Sequence, residues 1–358
     1  MKKTLSIVGA RPQFIKAFIT IKSLNTHKSL KNFLLHTGQH FDKEMSEIFF
    51  SELKFKKNLI KINLSKNIDR ISRIAEMLFK IKNLVKKFSP DLIIVYGDTD
   101  STLVGSIIAR RLNIKLMHIE AGLRSNIVHM PEEQNRVYAD YLSDYLICPN
   151  NESRNNLKFY TNKKIYNYGD VMYDSFLFYK SLLNKKVLNK FKKKYDLPNK
   201  FIFFTVHRDI NSNYKIINKM IKDISKSKYV FFWPVHPKIS FILRKKKIKL
   251  PKNIIYTKPI SYLESLVAIK QSQFVVTDSG GVQKEAFFFK KKSFVLRDET
   301  EWIDLIKAKS LKIINSNILD IEKNNTFLKS KINKKNYFGN GKSTIKILNL
   351  IKKIFKLQ

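Results

Sequence analysis

The sequence predicts an α/β protein made of two parallel, doubly wound sheets, and three observations carry that reading. Short apolar runs of strand length alternate with amphipathic helical runs along most of the chain. The strand runs are continuously apolar, the pattern of strands covered on both faces. The alternation then starts afresh after Gly169-Asp170. At 358 residues there is length for two domains of ordinary size. The natural architecture is two Rossmann-like domains facing a central cleft, residues 1–168 and 169–341, with a terminal helix over 342–358.

Residues 5–9 are a buried-strand run that stops at Gly9-Ala10-Arg11-Pro12, and residues 14–24 read as a helix. The turn lacks the glycine-rich dinucleotide fingerprint and offers Arg11 and Lys16 instead, cations suited to a diphosphate or simply to the surface. Residues 33–36 form a second strand, residues 45–50 a helix, and residues 56–64 an edge-like strand with alternating Lys and apolar positions. Residues 68–88 are a long amphipathic helix with Ile71, Ala75, Leu78, Ile81 and Val85 on its apolar face, stopped by Ser89-Pro90. Strands over 91–96 and 114–119 flank a helix over 103–111. Alternation places Leu116, His118 and Glu120 on one strand face, and His118 reads as a satisfied core histidine. Pro131 suits the first position of a helix on which Glu132 and Arg136 are i,i+4 neighbours. Strands over 145–149 and 165–169 complete the first half.

The second half opens with a Lys-rich helix over 174–194. Strands over 201–206 and 229–234 end at His207-Arg208 and His236-Pro237. A short strand over 254–256 and a helix over 262–270 follow. Residues 274–277 run into Asp278-Ser279-Gly280-Gly281 and a helix over 282–289, and a strand over 293–296 ends at RDETE. The tail, 341–358, is a basic amphipathic helix with Ile345, Leu348, Ile351 and Phe355 on one face; such a helix packs back onto a domain more readily than it lies on a membrane.

Net charge is +40, but 58 of the 69 basic residues are Lys, whereas base-reading proteins lean on Arg. The charge therefore reads as a solvated surface, with no specific nucleic-acid partner. Cys148 is the single cysteine, which excludes an intramolecular disulfide and a multi-thiolate metal site, and its apolar setting makes it a small core residue. No apolar run approaches spanning length and the N-terminal run is too short for a signal peptide, so a cytoplasmic protein without integral membrane association is expected.

Chemistry concentrates where strands end, because in open α/β sheets ligands sit beyond the carboxyl ends of the strands. Asp98, Glu120 and Glu132 stand on successive βα units, suited to proton chemistry or to hydroxyl binding, or separately to capping helices. In TDSGGVQKE, Ser279, Gly280 and Gly281 open a helix whose free amides favour a phosphate, and Glu285 is placed to accept from ribose hydroxyls.

Ten motifs in order, GARPQFIK, TGQHFDKEM, YGDTDST, HIEAGLRS, PEEQNR, GDVMYDS, His207-Arg208, PVHP, TDSGGVQKEA and RDETE, resemble the non-hydrolysing UDP-N-acetylglucosamine 2-epimerase family nearly end to end. The resemblance implies a GT-B-like fold with UDP held mainly by the second domain, and a homodimer. It implies elimination of UDP across carbons 1 and 2 followed by re-addition with inversion at carbon 2, with neither cofactor nor metal. It places Asp98, Glu120 and Glu132 around the sugar ring. Arg11 and Lys16 would meet the diphosphate, with Arg136, Arg208 and His236 as further substrate contacts. His207 would stabilise departing UDP, Ser279, Gly280 and Gly281 would cradle phosphate, and Glu285 would hold ribose. Trp302-Ile303 stands where the best-known members carry arginine and proline, and Ile260 and Ser265 where they carry glutamine and phenylalanine. The 123–130 loop is about two residues shorter. EAFFFKK and RDETEW look more like the branch acting on UDP-2,3-diacetamido-2,3-dideoxyglucuronate, whose carboxylate Arg124 or His129 would meet. Glycosyl transfer on the same fold and a hydrolysing 2-epimerase remain the alternative reactions.

Overall fold

Ile7, Val8, Leu5 and their neighbours have no solvent-facing surface, which is why a seven-residue run can stand at the middle of a sheet. That run is β1 (Lys2–Val8), in a computed structural model that describes residues 1–39, 58–65, 68–333 and 335–358. The expected helix over 45–50, part of TGQHFDKEM and the start of the strand over 56–64 lie outside the described residues. The chain forms two compact units, Met1–Leu177 with Asn336–Gln358, and Phe178–Lys335.

In the first unit β1 pairs in parallel with β2 (Leu30–His36) on one side and β4 (Leu92–Tyr96) on the other. The seven strands are all parallel, with β3 (Leu59–Lys61), β5 (Lys115–Ile119), β6 (Tyr145–Cys148) and β7 (Lys164–Asn167) completing the order β3-β2-β1-β4-β5-β6-β7. Strand order reverses between β1 and β4, and such a switch point opens a crevice at the carboxyl ends. Helix α1 (Arg11–Leu24) leaves β1 there, α3 (Asp100–Arg111) leaves β4, and α4 (Pro131–Leu142) follows β5.

The long helix α2 (Arg70–Phe88) buries Met77, Ile81 and Val85, with Ile74 and Leu78 packed beside the same core. The expected face is rotated at its start: Ile71 and Ala75 are exposed, and Ile74 and Met77 meet the core in their place, after a first turn capped by Asp69 accepting from the amides of Ile71 and Ser72. A similar shift occurs in the terminal helix (Ser343–Phe355), which buries Thr344, Ile347, Leu350 and Ile351 and turns Ile345 outward. It packs on α1, where Ser23 Oγ donates to Thr344 O at 3.3 Å, and its first turn is capped by Asp174, which accepts from Thr344 N at 2.8 Å.

The second unit repeats the plan with six parallel strands in the order β10-β9-β8-β11-β12-β13. They are β8 (Ile202–Thr205), β9 (Phe231–Pro234), β10 (Ile254–Thr257), β11 (Val275–Thr277), β12 (Ser293–Val295) and β13 (Leu311–Ile313). Its switch point lies between β8 and β11, whose ends are joined by Thr205 and Thr277 hydroxyls 2.6 Å apart. The core beneath is Phe204, Phe231, Trp233, Val276 and Phe294, all fully buried. The single helix expected over 174–194 is two, Val171–Ser181 and Lys185–Lys194, because Asn184 caps the second by accepting from Val187 N.

Candidate functional site

At the first switch point β1 ends in Gly9, whose amide hydrogen-bonds Gln13 Oε1 at 2.7 Å, as does that of Ala10 at 3.1 Å. The Gln13 amide group donates on the other side to Tyr96 O at 2.5 Å and to the hydroxyls of Thr99 and Thr102, each at 2.9 Å. One buried side chain thus fastens the Gly9-Ala10 turn before Arg11 to the loop carrying Asp98. Helix α1 begins at Arg11, not at Phe14, so this cation stands in the first turn of a helix with no acidic residue there. A cation at the positive end of a helix opposes the macrodipole, an arrangement that an anionic ligand relieves.

Lys16, one turn further, is buried and ion-paired to Glu120 Oε2. Gly97, at a φ of 62°, lets the backbone pass beneath them, since a Cβ there would lie 3.0 Å from Glu120 Oε2. Glu120 itself is no longer part of the strand. Its φ is 73°, and both its amide and that of Ala121 donate to Ile147 O at 3.0 Å, a bulge that turns the side chain off the strand face on which alternation had placed it. A left-handed non-glycine residue of this kind costs about 1–3 kcal/mol and is found where surroundings over-determine it. Here they do: His118, fully buried as expected, spans Asp140 Oδ1 and Gly97 O at 2.8 Å each, and Asp140 also accepts from Gly122 N.

Asp98 is about one-third exposed and is held by Arg136 Nη2 at 2.6 Å, while its carbonyl accepts from Asn135 at 2.9 Å. Arg136 is buried, and its other branch reaches Glu133 Oε2 at 2.5 Å. Glu132, half-buried in the same first turn, is thus not the acid that these bonds tie to Arg136. Burial works to raise the Glu133 carboxyl, but the Ser125 amide and the Arg136 guanidinium hold it below the usual range. Burial also pushes the hydroxyl of Tyr96 far up, and Ser6 bonds it at 2.9 Å, so it stays neutral beneath the loop. Arg124 faces Asp140 Oδ2 and Leu123 O, both at 2.7 Å, while His129 is exposed.

At the second switch point Asp278 is the organiser. Fully buried, it accepts from the amides of His207 at 3.1 Å and Arg208 at 2.9 Å, and from Asn211 at 3.2 Å. The His207 ring Nδ1 lies 2.7 Å from its carboxylate, so Nδ1 carries a proton and the half-exposed ring presents Nε2. Burial would raise Asp278, yet the His207 ring and these amides bring its pKa down to about 2. Ser279 caps the helix Gly280–Phe288 through a long bond from Val282 N at 3.5 Å, and its own amide donates to Thr277 Oγ1 at 2.9 Å. Gly280 is required by close approach: a Cβ would meet Glu301 Oε1 at 2.5 Å and Trp302 Nε1 at 3.2 Å. Gly281 follows in the first turn, half-exposed. Glu285 is buried, and Lys284 beside it stacks over the Trp302 ring at 4.1 Å. His236 caps the next helix, Pro237–Lys245, by accepting from Lys238 N at 3.3 Å. Ile260, Ser265 and Trp302, the departures noted in the sequence, are all buried.

Three structural roles had no counterpart in the sequence reading: Gln13, Asp278 and Glu133. Asp278 carried a usable signal, an acid directly at the end of a wholly apolar strand run. Among the described residues no group of His, Cys, Asp and Glu is arranged to hold a metal ion. No described helix is long and apolar enough to cross a membrane. Burial pushes the Cys148 thiol far up, as fits a core residue.

The two doubly wound units are of the α/β class, one with carboxylate–cation pairs at its switch point and one with a helix start beside a carboxylate-oriented histidine. The profile of the UDP-N-acetylglucosamine 2-epimerase family matches residues 22–352, and the chain belongs to that family. It is 40% identical to a UDP-N-acetylglucosamine 2-epimerase homolog of Methanococcus maripaludis, over 98% of this chain and 100% of that one. It is 38% identical to the UDP-2,3-diacetamido-2,3-dideoxy-D-glucuronate 2-epimerase of Pseudomonas aeruginosa, over 85% of this chain and 86% of that one. The structure of the Methanocaldococcus jannaschii UDP-GlcNAc 2-epimerase in complex with UDP-GlcNAc and UDP is similar at a TM-score of 0.89 and 31% identity, covering 99% and 100% of the two chains.

Proposed function

We propose that this protein inverts carbon 2 of a UDP-linked N-acetylated sugar by eliminating and re-adding UDP, the first unit working on the sugar and the second holding the nucleotide. In the forward step a carboxylate takes the proton from carbon 2 while the bond from carbon 1 to the diphosphate oxygen breaks. UDP leaves with that electron pair, and a double bond joins carbons 1 and 2. Return of UDP, with a proton delivered to the opposite face, gives the epimer. The chemistry asks for an acid and a base on two faces and for donors at a leaving dianion.

The observation that carries the reading is the Lys16–Glu120 pair beside Gly97 at the switch point, with Asp98 held by Arg136 next to it. Asp98, Glu120 and Glu132 are the proton-handling groups. Arg11 and Lys16 meet the diphosphate from the first unit, and Lys16 does so from a position where it is also ion-paired to Glu120. His207, Arg208, His236 and the Ser279–Gly281 helix start receive UDP, with Glu285 near the ribose. A homodimer in the cytoplasm belongs to the same reading.

The test is Glu120→Gln. Deuterium uptake at carbon 2 from heavy water should be lost while UDP affinity stays within a few-fold of wild type. Wild-type exchange in that variant removes Glu120 from the mechanism. The 2,3-diacetamido glucuronate is the second substrate to assay, favoured by the 38% identity to the Pseudomonas enzyme. Arg124 is engaged by Asp140, so of Arg124 and His129, the two residues expected to meet its carboxylate, one already holds a charged partner.

A further inference from the structure

Glu133 and Arg136 form a charged pair that the reaction as written does not use. Both are buried, so neither is a solvated surface charge. Glu133 Oε2 accepts from Ser125 N at 2.9 Å and from Ser125 Oγ at 3.0 Å, and Glu133 Oε1 accepts from Asn126 N at 3.3 Å. Asn126 stands in the left-handed region, at a φ of 61°, so the chain bends sharply where Glu133 grips it. The same Oε2 atom receives Arg136 Nη1 at 2.5 Å, and Arg136 Nη2 reaches Asp98 Oδ2 at 2.6 Å. A continuous line of charge-assisted bonds therefore runs from the 123–130 loop through Glu133 and Arg136 to Asp98. Such bonds are short and directional, and a planar guanidinium transmits a displacement on one branch to the other.

We propose that Glu133 and Arg136 are positioning residues that couple the 123–130 loop to Asp98, so that the loop meeting the sugar also sets the aim of a carboxylate that works on it. This rests on the reading of Asp98 as a sugar-facing acid. It changes the expected role of Arg136, which serves the carboxylate and does not bind the substrate itself. It also gives the shortened loop a consequence beyond fit. A loop of different length seats Ser125 differently, and the shift reaches Asp98 as a change in turnover. A misplacement on the order of 1 Å at a reacting group costs about 100-fold.

The experiment compares Arg136→Met, Arg136→Lys, Glu133→Gln and Asp98→Asn in the full-length protein, reading kcat and KM for carbon-2 epimerisation of UDP-N-acetylglucosamine and of the diacetamido uronate. Positioning predicts that Arg136→Met lowers kcat by about 100-fold with KM changed less than about threefold, and that Arg136→Lys recovers about tenfold of the loss. A substrate-binding cation would instead raise KM. Wild-type kcat in Arg136→Met, a loss confined to KM, or an Arg136→Lys no better than Arg136→Met overturns the proposal. Should Arg136→Met not fold, Glu133→Gln decides: it keeps the volume and the acceptor for Ser125 but removes the charge facing Arg136. A kcat loss of about tenfold at unchanged KM supports the coupling, and wild-type kcat overturns it. An inactive Asp98→Asn beside a fully active Arg136→Met sinks the coupling alone, whereas an active Asp98→Asn sinks the underlying reading of Asp98.

Discussion

Replacing Asp278 with Asn tests the electrostatics of the second unit, because the change keeps the side-chain volume while it removes the charge and turns one of two accepting oxygens into an NH2. In the folded protein burial raises this carboxyl, but the His207 ring and the amides of His207 and Arg208 bring it from 3.8 to about 2. That drop corresponds to about 2 kcal/mol of folding stability at neutral pH. With a urea slope of roughly 2 kcal/mol per molar, the unfolding midpoint should fall by about 1 M. The readout is intrinsic: both tryptophans of the chain, Trp233 and Trp302, are buried in this unit, so their fluorescence reports its unfolding. The pH dependence fixes the cause. A carboxylate whose folded pKa is depressed stabilises above its unfolded pKa and loses that contribution as pH falls toward the folded value. The wild-type advantage should therefore be full at pH 5 and above and about half gone at pH 3. An Asn variant that unfolds at the wild-type urea concentration, or a gap that stays constant from pH 7 to pH 3, refutes the assignment.

Two further outcomes follow from the same geometry. Gln13→Glu places a carboxylate against Tyr96 O and takes away the donors to Thr99 and Thr102, so thermal stability should fall by about 2–4 kcal/mol equivalents, with turnover falling further than UDP affinity. Unchanged turnover would mean that the Asp98 loop holds its place without Gln13. Gly280→Ala forces Glu301 and the Trp302 ring off the helix start, and calorimetry should show UDP binding weakened by about 1–3 kcal/mol, with epimerisation regained at saturating substrate. Wild-type affinity would separate that helix start from the nucleotide.

How far the sequence was readable depended on whether a feature is local. The two sheets were legible because buried parallel strands are unbroken apolar runs, FIFFT over 201–205 and FVVT over 274–277 among them. The candidate site was legible as residue types at strand ends and not as geometry. Nothing in HIEAG announces that Glu120 leaves the strand through a left-handed bulge, since that turn is met by Ile147 O on the neighbouring strand and by the bond from His118 to Asp140 on α4. Spacing made Glu132 the i,i+4 partner of Arg136, yet the buried turn of α4 presents Glu133 to it. Ile71, Ala75 and Ile345 face outward for the same reason: a helical wheel gives the period of the apolar stripe, while its phase is set by the core the helix packs against. The Pro at the start of the helix Pro237–Lys245 was a usable signal that the linear reading passed over.

If the protein epimerises by elimination, it breaks and remakes the covalent C–H bond at carbon 2 of a UDP-sugar while the nucleotide is returned to the ring. The most direct measurement is incubation of the wild-type protein with UDP-N-acetylglucosamine, and separately with the diacetamido uronate, in heavy water, followed by nuclear magnetic resonance of the recovered sugar nucleotide. Deuterium should appear at carbon 2 of both epimers with UDP still attached, for at least one of the two substrates. Recovery of either sugar nucleotide with hydrogen intact at carbon 2 in both incubations, or release of free sugar and UDP in place of the epimer, contradicts it.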